Sequence, residues 1–168
     1  MGEDVTTKKH KEENKKALVA IITLSDTRAL SEDESGHFIK TFLENDGHKV
    51  VSHVIIRDEN EVLKSEILRT LNNVNVIITN GGTGLSKRDI TPETVEPLFE
   101  KKLSSFSTLF SLLSYQDIGS AALVSRATAG VIGKTAVFCM PGSPKAVKLG
   151  MEKIILPEIG HIIKHLGD

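Results

Sequence analysis

One cysteine in 168 residues is too few for an internal disulfide or a cysteine-cluster metal site, and it points to a reducing, cytoplasmic setting. That residue, Cys139, lies inside the apolar run Thr135-Ala136-Val137-Phe138-Cys139-Met140, the environment of a buried spectator thiol rather than of a nucleophile. Net charge is nearly absent as well. The balance of 21 Lys and Arg against 22 Asp and Glu gives −1, so no general attraction to nucleic acid or to an anionic membrane is expected, and any anion site must be local. No apolar run reaches the length of a membrane span, and the N-terminus is too polar for a secretory signal. Hydrophobic residues at 39% and charged ones at 26% stay near globular averages, which excludes wholesale disorder and a fibre. The length suits a single domain with a real core.

Residues 1–16 alternate charged with polar groups (Lys8, Lys9, His10, Lys11, Glu12, Glu13) and carry too little apolar surface to offset ordering entropy. A flexible tail is expected there, ahead of one domain over 17–168. From Ala17 a repeating grammar begins. Residues 17–24 form a continuous apolar run of the kind buried on both faces of a parallel sheet. Phe38, Ile39, Phe42 and Leu43 then fall at helical spacing, with Gly47 as a stop. Residues 50–56 read as a second strand, Val62, Leu63, Ile67, Leu68 and Leu71 line the next helix, and residues 74–79 read as a third strand. Such alternation argues for an α/β sandwich of three layers around a mostly parallel sheet with right-handed crossovers. From Thr91 to Gly133 the pattern loosens into a short helix to about Phe99 and a hydroxyl-rich apolar stretch over 104–115 whose register is not legible. Residues 134–140 return to strand, Pro141-Gly142-Ser143-Pro144 turns, and 146–166 reads as a long amphipathic helix interrupted near Pro157.

In an open parallel sheet, ligands sit beyond the carboxyl ends of strands, so the residues just past each expected strand matter most. The first strand empties into Ser25-Asp26-Thr27-Arg28, the second into Arg57-Asp58-Glu59, and the last into Pro141-Gly142-Ser143-Pro144-Lys145. The third delivers Gly81-Gly82-Thr83-Gly84 and, beyond it, Asp89. Three glycines in four residues free the backbone for positive φ and let an anion approach the amides. Thr91 or Asp89 is placed to cap a helix with Pro92 in its first turn. Asp58 and Asp89, carboxylates beside glycine-lined amides, are the best candidates for handling a nucleotide phosphate with Mg²⁺. For Asp58 and Asp26 a helix N-cap is the competing role, and Ser143 is placed both to cap a helix and to meet a ligand. Gly130-Val131-Ile132-Gly133-Lys134-Thr135 is no P-loop, because Thr128 stands where a glycine is needed and the lysine opens a strand. Among six histidines only His161 and His165 have a metal spacing, and without a metalloprotease glutamate beside them they read as a helix surface feature.

Four ordered motifs, Ser25-Asp26-Thr27-Arg28, Gly81-Gly82-Thr83-Gly84 with Arg88-Asp89-Ile90-Thr91-Pro92-Glu93, Ser125-Arg126-Ala127-Thr128-Ala129-Gly130 and Pro141-Gly142-Ser143-Pro144-Lys145-Ala146-Val147, resemble the MoaB/Mog family of molybdenum cofactor biosynthesis proteins. The likeness runs from about residue 17 to about 166. It implies a three-layer α/β/α domain, a homotrimer or hexamer, that binds the pterin dithiolene molybdopterin. It also implies adenylation of molybdopterin with Mg-ATP and release of pyrophosphate, ahead of molybdate or tungstate insertion by a partner protein. Asp58 and Asp89 match the family's two functional aspartates, with Asp89 on Mg²⁺ directly or through water. Ser25, Asp26, Gly81, Gly82, Thr83 and Gly84 would hold the nucleotide and phosphate. Pro141, Gly142, Ser143 and Lys145 would line the pterin side. A non-catalytic molybdopterin-binding protein of the same pathway is the alternative, since both kinds carry the same loop.

Overall fold

The computed structural model describes residues 15–167, so the expected charged tail falls outside the described residues apart from Lys15 and Lys16. Six strands form one sheet in the order β2-β1-β3-β6-β5-β4. They are β1 (Leu18–Leu24), β2 (Lys49–Ile56), β3 (Val76–Asn80), β4 (Lys101–Lys102), β5 (Thr128–Ile132) and β6 (Thr135–Met140). The helices are α1 (Glu34–Asn45), α2 (Asn60–Thr70), α3 (Thr91–Val95), α4 (Ser104–Ile118), α5 (Pro144–Gly150) and α6 (Leu156–Gly167). Strands β2, β1, β3 and β6 are mutually parallel, while at one edge β5 runs antiparallel to β6 and β4 antiparallel to β5.

Successive strand residues point to opposite faces, and both faces are covered. Val19, Ile21, Val76, Ile78 and Phe138 pack with Ile39 and Leu43 of α1, Phe106 and Phe110 of α4, and Met151, Ile155, Ile159 and Ile163 of the C-terminal helix. Ala20, Ile22, Ile77, Val137 and Cys139 pack on the other side with Leu63 and Ile67 of α2 and Val95 of α3. The expected three-layer α/β/α sandwich with a mostly parallel sheet is therefore the observed fold. Among the described residues no helix is long and apolar enough to cross a membrane.

The stretch left without a register resolves into α4, a 3₁₀ turn (Gly119–Val124) and β5, which turns back through Gly133 (φ 58°) to pair antiparallel with β6. The C-terminal helix is continuous from 144 to 167 but widens to a π turn over Met151–Ile155, just ahead of Pro157. A proline ring clashes with the carbonyl four residues back, and the wider turn relieves that contact.

Strand order reverses about β1. The chain leaves β1 through α1 to reach β2 on one side, then returns through α2 to reach β3 on the other. The carboxyl ends of β1 and β3 are therefore the topological switch point, where a crevice opens in this class of sheet.

Candidate functional site

A cleft of about 560 Å³ opens at that crevice, and all four parallel strands supply its walls. Ser25, Asp26, Thr27 and Arg28 follow β1, Asp58 follows β2, Asn80, Gly81 and Gly82 end β3, and Gly142, Ser143 and Pro144 follow β6. Arg88 and Asp89 complete the lining. Beside it, a second hollow of about 280 Å³ shares Gly82, Asp89, Gly142 and Ser143 with the cleft and adds Thr83, Gly84, Pro141 and the apolar Phe110, Ile118 and Val124. The structure thus gathers Asp58, Asp89, Ser25, Asp26, Gly81, Gly82, Thr83, Gly84, Pro141, Gly142 and Ser143 into two adjoining hollows. Lys145 is not among them: its Nζ lies 3.1 Å from Asp117 and it lines a separate groove.

The glycine loop owes its shape to backbone freedom at one place above all. Gly81 and Gly82 both have positive φ, 102° and 67°, and Gly81 N donates to the Met140 carbonyl at 3.0 Å, clipping the loop to the end of β6. Neither residue expected to cap α3 does so, because Ile90 holds the N-cap position and makes no side-chain cap bond. Thr91 Oγ1 instead donates to the Gly81 carbonyl at 2.9 Å, and Thr91 N donates to the Gly82 carbonyl at 2.9 Å, so the helix start clamps the loop from below. Asp89 accepts from Ser86 N at 2.8 Å, folding its own turn.

Arg126 has a role that its place in the sequence did not reveal. Its Nε and Nη2 donate to the Gly84 carbonyl at 3.0 and 2.6 Å, Nη2 reaches the Asp89 carbonyl at 3.2 Å, and Nη1 pairs with Glu93. One planar guanidinium therefore spans both ends of the loop that carries Asp89.

Asp58 is not a helix cap either, since Glu59 occupies that position ahead of α2. Its amide donates to Asp26 Oδ1 at 3.2 Å, and Asp26 Oδ2 pairs with Arg88, so Asp26 links the β1 and β2 ends and draws Arg88 across the mouth. Burial, with a further contribution from the charge on Asp89, pushes the Asp58 carboxyl above its ordinary 3.8. Burial also pushes Asp89 upward, but hydrogen bonds from Ser86 and from the Gly84 amide, with the Arg126 charge, outweigh it and hold Asp89 below 3.8. Two neighbouring carboxylates are pulled apart in this way, and a cation between them would relieve their repulsion. Their hard oxygens suit Mg²⁺, which takes one or two protein carboxylates and completes its shell with phosphate and water. Among the described residues no group of three or more His, Cys, Asp or Glu could enclose a metal by itself. Ser143 caps α5, accepting from Ala146 N at 3.2 Å, and still lines the cleft.

Outside the cleft, Cys139 is fully buried and its thiol is pushed up to about 12 by burial, as expected of a spectator. His161 and His165 stand on the exposed face of α6 with their Nε2 atoms 2.8 Å apart.

Residues 20–161 match the family model described as "Probable molybdopterin binding domain". The chain is 45% identical over 159 residues to "Molybdenum cofactor biosynthesis protein B" of Bacillus cereus, covering 93% of this chain and 94% of that protein. A crystal structure of a molybdenum cofactor biosynthesis protein B superposes with a TM-score of 0.89 at 45% identity, covering 92% of this chain and 98% of the other. The tungsten cofactor synthesizing protein MoaB from Pyrococcus furiosus superposes with a TM-score of 0.80 at 40% identity, covering 92% and 99%.

Proposed function

The chain belongs to the MoaB/Mog family of molybdenum cofactor biosynthesis proteins, and on that premise we propose that it adenylates molybdopterin with Mg-ATP, giving adenylyl-molybdopterin and pyrophosphate. The observation that carries this reading is the pairing, in one cleft, of a glycine loop with two carboxylates whose proton affinities are driven in opposite directions. Glycine amides suit a polyphosphate, and the adjoining hollow, with its apolar side, suits a flat pterin.

The terminal phosphate of molybdopterin attacks the α-phosphorus of ATP in line, a P–O bond forms, and pyrophosphate leaves with the electron pair of the bond that breaks. Positioning and charge neutralisation account for most of the acceleration in such transfers. Asp89, directly or through water, would hold Mg²⁺, which would neutralise phosphate charge. Asp89 stays ionised at neutral pH, because Ser86, Gly84 and Arg126 hold its carboxyl below the usual range despite burial. Asp58, on the β2 end, orients substrate or metal. Gly82, Thr83 and Gly84 cradle phosphate while Gly81, its amide committed to the Met140 carbonyl, holds the loop in shape; Ser25 and Asp26 border the nucleotide, and Ser143 with Pro141 and Gly142 borders the pterin. Arg88, drawn across the mouth by Asp26, is available to balance charge when a polyanion displaces that pairing.

We assign self-association to the face formed by α4 and the 3₁₀ turn after it, where Leu109, Leu112, Tyr115 and Leu123 are exposed, Leu123 to 87%. A homotrimer or hexamer working in the cytoplasm, handing its product to a molybdate- or tungstate-inserting protein, fits this face. Sedimentation of the 18.3 kDa chain as a monomer would contradict it.

Pyrophosphate release from ATP in the presence of molybdopterin and Mg²⁺ is the deciding assay. Asp89→Asn is expected to lower that release at least tenfold while pterin affinity stays within about twofold, since the lost charge acts on the phosphates. Equal turnover in the variant would remove Asp89 from the mechanism. No release by the wild-type protein, with tight pterin binding intact, would make it a binding module instead.

A further inference from the structure

Beneath the cleft runs a buried polar chain that the proposed chemistry does not use. Asp33, at the N-cap of α1, is fully buried. Burial pushes its carboxyl upward, but hydrogen bonds from His53, Thr23 and the Gly36 amide outweigh that and hold it below 3.8. An ionised carboxylate only accepts, so His53 Nε2 at 2.7 Å and Thr23 Oγ1 at 2.5 Å both donate to Oδ2, and Gly36 N donates to Oδ1 at 2.9 Å. With its proton committed to Asp33, Thr23 Oγ1 can only accept from its partner in the neighbouring strand, Asn80, whose Nδ2 lies 2.8 Å away. The Asn80 amide is thereby turned one way. Among the described residues its Oδ1 is left over, buried and without a partner.

The surrounding backbone is built around this arrangement. A Cβ at Gly36 would lie 2.1 Å from Asp33 Oδ2 and 2.3 Å from His53 Nε2, so only glycine lets α1 rest on the pair. Ser35 Oγ donates to the Gly142 carbonyl at 2.7 Å and ties the same helix start to the loop carrying Ser143. Asn80 ends β3 at the switch point and lines the cleft.

We propose that His53 and Asp33 are positioning residues that fix the hydrogen-bond polarity of the cleft floor, so that Asn80 offers its amide oxygen to a donor group, a hydroxyl or an amino N–H, of the bound ligand. The inference rests on reading the cleft as the ligand site, and it adds a specificity element. A buried acceptor without a partner is costly and is satisfied only by a donor. Phosphate oxygens bring none, so Asn80 meets the nucleoside or the pterin end of a substrate and the glycine amides meet its phosphates.

The test uses the full-length protein with two matched pairs of variants. His53→Gln keeps a side-chain N–H near the position of Nε2 and His53→Leu removes it; Thr23→Ser keeps the hydroxyl and Thr23→Val removes it. The Asn80 side-chain amide is followed by ¹H–¹⁵N NMR, and affinities for Mg-ATP, molybdopterin and Mg-tripolyphosphate are measured by calorimetry. His53→Leu and Thr23→Val are expected to shift the Asn80 amide resonances and to weaken whichever of ATP or molybdopterin brings the donor by about tenfold, the worth of one hydrogen bond. Tripolyphosphate affinity stays unchanged, and His53→Gln and Thr23→Ser behave like wild type. Unmoved Asn80 resonances, an equal loss for all three ligands, or Gln and Ser variants as impaired as Leu and Val would each overturn the proposal. Pyrophosphate release by the wild-type protein reports separately on adenylation, because the NMR readout needs no turnover.

Discussion

Replacing Gly82 by alanine tests whether the glycine loop is held by its contact with Thr91 or only by glycine's own freedom. The φ of 67° places alanine in the left-handed region, which costs about 1–2 kcal/mol. The new Cβ would lie 2.5 Å from Thr91 Oγ1, forcing that hydroxyl away from the Gly81 carbonyl it now meets at 2.9 Å. Thr91 is fully buried and has no solvent to turn to, so the lost bond adds about 1 kcal/mol. Leu24 Cδ2 and Asp58 Oδ1, both 3.4 Å from the added carbon, are in ordinary contact and add nothing. The sum is roughly 2–3 kcal/mol, a fall in melting temperature of roughly 4–12 °C for a chain of this size. Gly133→Ala is the internal control: its φ is 58°, but no atom of the described residues lies within 4 Å of the added carbon, so it bears the conformational cost alone. Thermal unfolding of both variants at one protein concentration gives the difference, and a Thr91→Ala background closes the cycle. On that background the Gly82→Ala penalty should shrink to the Gly133→Ala value, a coupling of about 1 kcal/mol. Equal penalties for the two glycines, or additivity within roughly 0.5 kcal/mol in the cycle, would refute the clamp.

Asp58→Asn is expected to stabilise the magnesium-free protein at neutral pH while abolishing pyrophosphate release. Its carboxyl is raised by burial and by Asp89, so the native state holds that proton more tightly than the unfolded chain does. The cost of the charge is absent below the ordinary 3.8 and fully present above the raised value, so the gain in melting temperature should vanish as pH falls into that window. A gain that persists at low pH would show the carboxylate charge is not the cause. Arg126→Lys keeps the charge but cannot span the Gly84 and Asp89 carbonyls, and kcat/KM should drop by roughly fivefold to thirtyfold, about 1–2 kcal/mol of lost positioning. Unaltered kinetics would free Arg126 from the loop's function. Cys139, fully buried and with its thiol pushed up to about 12, should resist thiol reagents in the native protein and react only on unfolding, which a timed labelling experiment with mass spectrometry would check.

Much of the framework was legible because the patterns that write it are local. Strands β1, β2, β3 and β6 announce themselves as apolar runs, and Asp58 and the glycine loop with Asp89 come directly after two of them. Strand β5 is not legible in the sequence because Thr128, Ala129 and Gly130 are small residues whose strand conformation comes from pairing with β6, not from their own preference. The register of α4 was hidden because it is apolar on more than one side: Phe106 and Phe110 are buried, while Leu109 and Leu112 are exposed. The helix-capping roles expected of Thr91 and Asp89 went instead to bonds within the loop, which a capping pattern cannot distinguish from the sequence.

What the sequence alone determined, then, is the alternation of strands and helices, the family, and the candidates that stand next to a strand end, all readable from neighbours along the chain. Tertiary structure alone decided that Arg126 grips a loop 42 residues away at Gly84, and that Asp33, Thr23, His53 and Asn80 form one hydrogen-bonded line. Thr23 and Asn80 are 57 positions apart and meet only because β1 and β3 pair in parallel, in a register that sets them side by side. Hydrophobic periodicity makes each strand, but strand order and register are settled by packing the whole sheet between its helices, and only then do distant polar groups acquire partners.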